Sequence, residues 1–296
     1  MSKNEIEAGH AFEEEFWYWI NERHQIYLKK TAGLKKPWTE DPILQNYKFT
    51  NAFRELDRGT IALRLMCAPE MEKPRPDLGL VAWNIIWYRM FNWYEHAKDI
   101  GFMTDYCELA DRLRKKDMRG DQVFTNAHMT VGIAGEPKVD TMLKTLEKVF
   151  KNRYEIVVLC QESCRLEVVF DFLRDKYLGI GKFISYEMVS DFRWYDGLLM
   201  HADDILTWAN IGPGCKRGLR RLGMTEDIKS LLHLYDVAEE KLGPHVRMHH
   251  PSGAEPLDPH LPPFELREIE HSLCEFDKYQ RVATGAGRPR QRYNGA

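Results

Sequence analysis

The chain has 296 residues, and 42 Lys and Arg against 45 Asp and Glu leave a formal net charge of −3. That balance excludes a partner chosen by bulk basicity. A content of 44% apolar and 12% aromatic residues, eight tryptophans among them, excludes a disordered or collagen-like chain. No apolar run approaches the roughly 20 residues that cross a bilayer, and the opening MSKNEIEAGH lacks the apolar centre of a secretory signal. A cytoplasmic protein with no membrane partner is expected. The six cysteines (Cys67, Cys107, Cys160, Cys164, Cys215, Cys274) contain no C-x-x-C pair and are expected as free thiols.

From the N-terminus, Phe12, Phe16, Trp19, Ile20, Arg23 and Tyr27 recur at spacings of three and four, which predicts an amphipathic helix over residues 12–30. Asp41-Pro42 reads as a helix restart, with Asp41 the N-cap and Pro42 the first helical residue. Helical periodicity then recurs over 80–97, 105–116, 139–151, 165–177, 182–192, 225–241 and 263–281, with Gly, Pro or polar turns between. The run YEIVVLC at 154–160 is the best strand candidate but is taken as helix. Residues 68–77 and 249–263 read as loops, and 285–296 as a mobile tail. The sum is an all-α fold forming one composite domain over 1–296.

The most specific local feature is Gly212-Pro213-Gly214 at the entrance to a basic helix. Converging backbone N–H groups and the positive helix end make an anion site there, and Lys216, Arg217, Arg220 and Arg221 concentrate positive charge on a nearly neutral protein. The bland alternative is a Gly-rich capping turn with solvated cations. Spacing also singles out the C-terminal helical run, where Glu270, Cys274, Lys278 and Arg281 fall on one stripe, with Glu275 beside it. Arg54 and Arg58, four apart in the array R-E-L-D-R with Asp57 between them, can share a helix face. Tyr186, Glu187 and Asp191 lie on one helix. Each of these sets has a plain structural alternative as a salt-bridged or acidic surface. The histidines His249, His250 and His260 sit in a Pro/Gly loop without metal-ligand spacing, so no metal site is assigned. The aromatic clusters at 16–19 and 83–88 are first of all core.

The turn at Gly212 resembles the hairpin of the helix-hairpin-helix superfamily, whose G-x-G turn grips a DNA phosphate. That resemblance implies a helix-hairpin-helix DNA glycosylase-like fold with the element at about 201–224. Lys216 stands where the lyase-type glycosylases carry a catalytic lysine. Asp227 and Asp236, however, lack the sequence context of the glycosylase aspartate, and the iron–sulfur cysteine spacing is absent.

Four further segments carry a narrower resemblance. They are Glu22-Arg23-His24 with Lys36-Pro37-Trp38-Thr39-Glu40-Asp41-Pro42-Ile43-Leu44; Tyr47 through Arg58 (YKFTNAFRELDR); Gly179 through Asp191 (GIGKFISYEMVSD); and Glu270 through Tyr279 (EHSLCEFDKY). Together they resemble the alpha-glutamyl/putrescinyl thymine pyrophosphorylases, amino acid:DNA transferases of phage thymine hypermodification. These enzymes are related to the helical domain of 5-hydroxymethyluracil DNA kinases. The resemblance implies replacement of the pyrophosphate of 5-(pyrophosphoryloxymethyl)uracil in double-stranded phage DNA by the amine of an amino acid or polyamine. No G-x-x-x-x-G-K-[ST] loop is present, so the kinase step is not expected of this chain. In that chemistry Glu270 or Glu275 is the candidate base, Lys278 and Arg281 the pyrophosphate ligands, and Asp191 a further catalytic candidate. Arg54, Asp57, Arg58, Tyr186 and Glu187 would line the substrate pocket, while Gly212, Gly214, Lys216, Arg217 and Arg220 would hold DNA. A divalent ion such as Mg2+ with the pyrophosphate fits this chemistry, though nothing in the sequence requires it. The alternatives are a helix-hairpin-helix glycosylase or lyase, and a non-catalytic DNA-binding accessory protein.

Overall fold

The computed structural model describes residues 3–125, 135–243, 247–248 and 263–287. In chain order its helices are α1 (Lys3–Thr31), α2 (Pro42–Asn46), α3 (Arg58–Met71), α4 (Leu78–Phe91), α5 (His96–Asp99), α6 (Tyr106–Met118), α7 (Lys138–Lys151), α8 (Arg153–Ser163), α9 (Leu166–Lys176), α10 (Lys182–Phe192), α11 (Pro213–Arg221), α12 (Ile228–Leu242) and α13 (Leu266–Ala283). A 3-10 turn covers Arg54–Leu56. Among the described residues the only strands are β1 (Arg247–Met248) and β2 (Pro263–Phe264), a two-residue parallel pair. The chain is all-α, as its periodicity requires. Its contacts group it into two compact units, one of Met1–Asp57 with Ile205–Ala296 and the other of Arg58–Asp204.

The unit Arg58–Asp204 is built around α4. Trp83, Ile85, Ile86, Trp87, Tyr88, Met90 and Phe91 are all fully buried, so this helix is apolar on every side and must be covered all round. Helices α7, α8 and α10 pack on it, and α9 backs α10. Its polar atoms are satisfied inside. Trp87 Nε1 donates to Asn84 Oδ1 at 2.7 Å, and Asn84 bonds both the carbonyl and the N–H of Met103 at 2.8 Å.

The unit of Met1–Asp57 with Ile205–Ala296 packs α1, α2, α11 and α12 against α13. Phe16 of α1 meets Phe276 of α13 edge to face at 5.5 Å, and Phe53 meets Phe264 at 5.6 Å. Asp41 caps α2 as its sequence indicates, accepting from the N–H groups of Ile43 and Leu44 at 2.7 and 3.0 Å, with Pro42 at the first helical position.

Two local expectations are corrected, and a third, the helix taken over 154–160, holds. The helix expected over 80–97 breaks at Asn92, which adopts the left-handed conformation (φ 50°) and closes α4 before α5 begins. The loop expected at 68–77 begins later, because α3 runs through Pro69 to Met71. Thr60, Leu63, Met66, Cys67 and Glu70 face inward at helical spacing, and that burial outweighs the proline. The strand-like run at 154–160 is helical, with Ile156, Val157 and Cys160 inward and Tyr154 and Val158 exposed. The loop expected at 249–263 lies almost wholly outside the described residues. All six cysteines are free.

His96 supplies a test of the packing around α4. It is fully buried between the rings of Trp87 and Phe91 and donates from Nε2 to Val123 O at 2.9 Å. Burial pushes its pKa from 6.5 down to about 4. Between those values the unfolded chain takes up a proton that the folded chain refuses, so His96 costs stability as pH falls from 6.5 to 4. The loss reaches about 3 kcal/mol at pH 4. Denaturant titrations of the wild type and His96→Gln should show their stability difference shrinking by about that amount from pH 7 to 4. A difference that stays constant with pH would contradict the buried neutral ring.

Candidate functional site

Helix α13 is the platform of the site. Its start is fixed by a capping box in which Glu265 and Glu268 satisfy each other's backbone N–H groups, and its inner face carries Leu266, Ile269, Leu273 and Phe276. Against it lies α11, and the approach is close because the facing residues are Gly214 and Gly218, one turn apart. A Cβ at Gly218 would stand 2.5 Å from the Leu273 carbonyl oxygen. One at Gly214 would overlap the Cys274 Sγ and lie 3.0 Å from the Cys274 Cβ. Gly214 therefore has a packing reason to be glycine, whatever else its turn does.

This approach sets the N-terminal turn of α11 beside the α13 stripe. Gly212 is the N-cap, in extended conformation, and no side-chain hydrogen bond caps the helix; Pro213 carries no N–H, so Gly214 and Cys215 hold its first donors. The Gly212 Cβ position is 3.9 Å from Glu270 Oε1. Glu270 and Cys274 thus sit at the Gly212–Gly214 turn, while residues 203–207, before it, form turns and not a helix. The Cys274 thiol is pushed up to about 12, by burial first and then by Glu270 and Glu275, so it is protonated near neutral pH.

The cations of the stripe are held in place. Lys278 donates to Glu275 Oε2 at 2.9 Å and lies over the Phe49 ring at 4.6 Å, and the same carboxylate accepts from Thr50 N–H at 3.0 Å. Glu275 is therefore occupied in fixing Lys278 and the 49–57 segment. Asp277, fully buried, takes Arg217 Nε and Arg221 Nε at 2.8 Å each, with Arg281 Nε at 3.3 Å. Burial alone would raise this carboxyl, but hydrogen bonds and charge from Arg217 and Arg221 outweigh it and hold it below the ordinary value. Arg220 turns outward to Glu226 at 2.7 Å, and Lys216 forms no ion pair among the described residues.

The 49–57 segment is tied down from α1. Arg23 donates to Thr50 O at 2.9 Å and to Asn51 Oδ1 at 2.6 Å. Asp57 in turn accepts from Asn51 N–H at 2.9 Å and from Arg54 at 2.8 Å. Thr50 Oγ1 shares a 2.5 Å hydrogen bond with His271 Nε2. Burial, joined by the charges of Arg54, Lys278 and Arg267, holds this imidazole well below its ordinary pKa, and hence neutral. Beneath it Arg267 is paired with Glu55 and, at 2.9 Å, with Glu268. Burial raises Glu268 well above the usual carboxyl value; Arg267 opposes that shift, and the neighbouring Glu55 and Glu265 reinforce it.

The expected Arg54/Arg58 helix face does not form. Arg54 lies in the 3-10 turn, Asp57 is extended (ψ 137°), and Arg58 opens α3, where it stacks on Tyr94 at 3.4 Å. Arg58 belongs to the other unit, as do Tyr186, Glu187 and Asp191 on α10. There Asp191 is buried and clamped by both Arg89 Nε and Arg89 Nη2, with Glu187 3.7 Å from the same guanidinium. Asp191, a catalytic candidate in the sequence, and Glu187, a candidate for the pocket lining, are thus grouped around Arg89 as an internal ion pair. The spacing argument passed over Asp277, His271 and Thr50. Asp277 had a visible signal, lying four residues before Arg281, which was already singled out. Thr50 had none. His249, His250 and His260 lie outside the described residues, and among those described no group of three or more His, Cys, Asp or Glu could hold a metal ion.

The helix contact carries its own test. Gly214→Ala should destabilise by about 1–3 kcal/mol, and Cys274→Ala should restore part of that loss by removing the overlapping sulfur. Gly218→Ala should cost at least as much and resist rescue at position 273, since it meets backbone. Urea midpoints of the single and double variants check this, and an unaltered Gly218→Ala midpoint would contradict the close approach.

Comparison with known proteins gives a family and a partial relative. A family model described as 5-hmdU DNA kinase, helical domain, matches residues 10–288. The 5-hmdU DNA kinase of Bacillus phage SP10 is 27% identical over 296 residues, covering 88% of this chain and 44% of the relative. The chain therefore spans less than half of that relative's length. No solved structure matches. With the match running through α1 to α13, this chain belongs to the family of 5-hmdU DNA kinase helical domains.

Proposed function

We propose that the chain is a DNA-modifying transferase of phage thymine hypermodification. It would act on 5-(pyrophosphoryloxymethyl)uracil in double-stranded DNA and place the amine of an amino acid or polyamine on the base methylene. The C–N bond forms, the C–O bond to pyrophosphate breaks, and the amine's proton passes to a carboxylate. The family, and a relative named for 5-hmdU DNA, support the DNA and base class. In this reading the element at about 201–224 is the phosphate grip of a helix-hairpin-helix, glycosylase-like fold.

The observation that carries the reading is the placement of an uncapped helix start, fixed cations and a carboxylate together on α11 and α13. A multiply charged leaving group needs preorganised donors in a desolvated site, and an ammonium must lose a proton before it attacks. Glu270, whose Oε1 lies 3.9 Å from the Gly212 Cβ position, is the proposed base. Lys216 would contact phosphate and not form a Schiff base.

Incubation with pyrophosphorylated hydroxymethyluracil DNA and glutamate, glycine, serine or putrescine, followed by nucleoside mass spectrometry, should show an aminated thymidine and released pyrophosphate. Lys278→Ala should lower turnover on the order of 10²-fold while DNA affinity stays within a few-fold. Glu270→Gln should lose most activity at low pH, where the amine is fully protonated. An unmodified base with every amine would remove the transferase assignment.

A further inference from the structure

We infer that Arg217, Arg221 and Arg281 form a single phosphate-binding site whose geometry is set by Asp277. The inference deepens the reading above and rests on it for the identity of the ligand.

Its basis is a charge imbalance in a fixed arrangement. Three guanidiniums surround one carboxylate, and that carboxylate is completely buried while the arginine side chains are 45%, 24% and 41% exposed in the order Arg217, Arg221, Arg281. Asp277 engages Arg217 and Arg221 through Nε, with Arg281 Nε nearest it as well, which leaves the outer edge of each guanidinium for another acceptor. No other carboxylate among the described residues pairs with any of the three. The cluster carries a net charge of +2 at partly exposed side chains. An acceptor with several oxygens, met by planar guanidinium forks, fits the remainder, which is the chemistry of phosphate. The site lies along α11 from the uncapped Gly212 start, and Lys216 and Arg220 extend the positive field without belonging to the cluster.

The phosphate could come from a DNA phosphodiester or from the pyrophosphoryl group, and the two sources separate experimentally. Arg217→Gln, Arg221→Gln, Arg281→Gln and Asp277→Asn would be compared by fluorescence anisotropy on a short unmodified duplex across a salt series. Thermal shift with inorganic pyrophosphate would be measured alongside. For a phosphodiester site each arginine variant should lose roughly tenfold in DNA affinity, and the slope of log affinity against log salt should shrink by about 1. For a pyrophosphoryl site the duplex affinity should hold while the pyrophosphate-induced shift disappears. Asp277→Asn discriminates geometry from charge. It removes a negative charge, so a site governed by charge alone would bind more tightly, whereas a site oriented by Asp277 binds more weakly despite the more positive net charge. Circular dichroism establishes that each variant is folded, and if Asp277→Asn is not, the single arginine variants decide. Wild-type duplex affinity and a wild-type pyrophosphate shift in all three arginine variants would overturn the inference, as would tighter binding by a folded Asp277→Asn. A protein that passes these tests yet aminates no base retains the phosphate site and loses the transferase assignment.

Discussion

The close approach of α11 to α13 is the constraint on which the candidate site depends. Two glycines one turn apart let backbone meet backbone and side chain at Leu273 and Cys274. Any larger residue would hold the helices further apart. With that spacing set, Gly212 falls beside Glu270, and Arg217 and Arg221 reach a carboxylate on the neighbouring helix. The same glycines that make the entrance to α11 look like a phosphate-gripping turn are thus needed for packing. The two roles are compatible, because the turn's N–H groups point along the helix axis while the Cα faces point at α13.

Charge is handled in two ways in this protein. Inside the unit Arg58–Asp204, Arg89 and Asp191 neutralise one another out of solvent, an arrangement in which either partner alone would be costly. In the other unit the buried carboxylate of Asp277 is outnumbered by partly exposed arginines, and Glu275 holds a lysine over an aromatic ring. The first arrangement is closed. The second leaves partly exposed arginines on α11 and α13.

The sequence was informative where one segment determines its own structure. The Asp41-Pro42 restart, the span of α10 and the inward stripe of α13 follow from capping chemistry and helical period. It was misleading where a partner decides. The periodicity of 58–71 is interrupted by Pro69, and only the burial of Met66, Cys67 and Glu70 shows why the helix continues. Arg54 and Arg58 share a helical spacing but are parted by the extended Asp57. Asp191 looked like a pocket carboxylate because Arg89, about a hundred residues earlier in the chain, was invisible as its partner. Asp277 received no role for the converse reason: its partners Arg217 and Arg221 sit on another helix.

The all-round burial of α4 bears on how this sequence can drift. An apolar helix with Arg89 as its one charged residue tolerates that charge only because Asp191 and Thr60 receive it. The arginine and the aspartate are therefore expected to be kept or lost together. A lineage that replaced one while keeping the other would carry an unmatched ion in its interior, so the viable route passes through loss of both or an exchange of their signs. Positions 89 and 191 should vary in concert across relatives. The exposed ion pairs on α6, such as Arg112 with Glu108, are free to change one residue at a time.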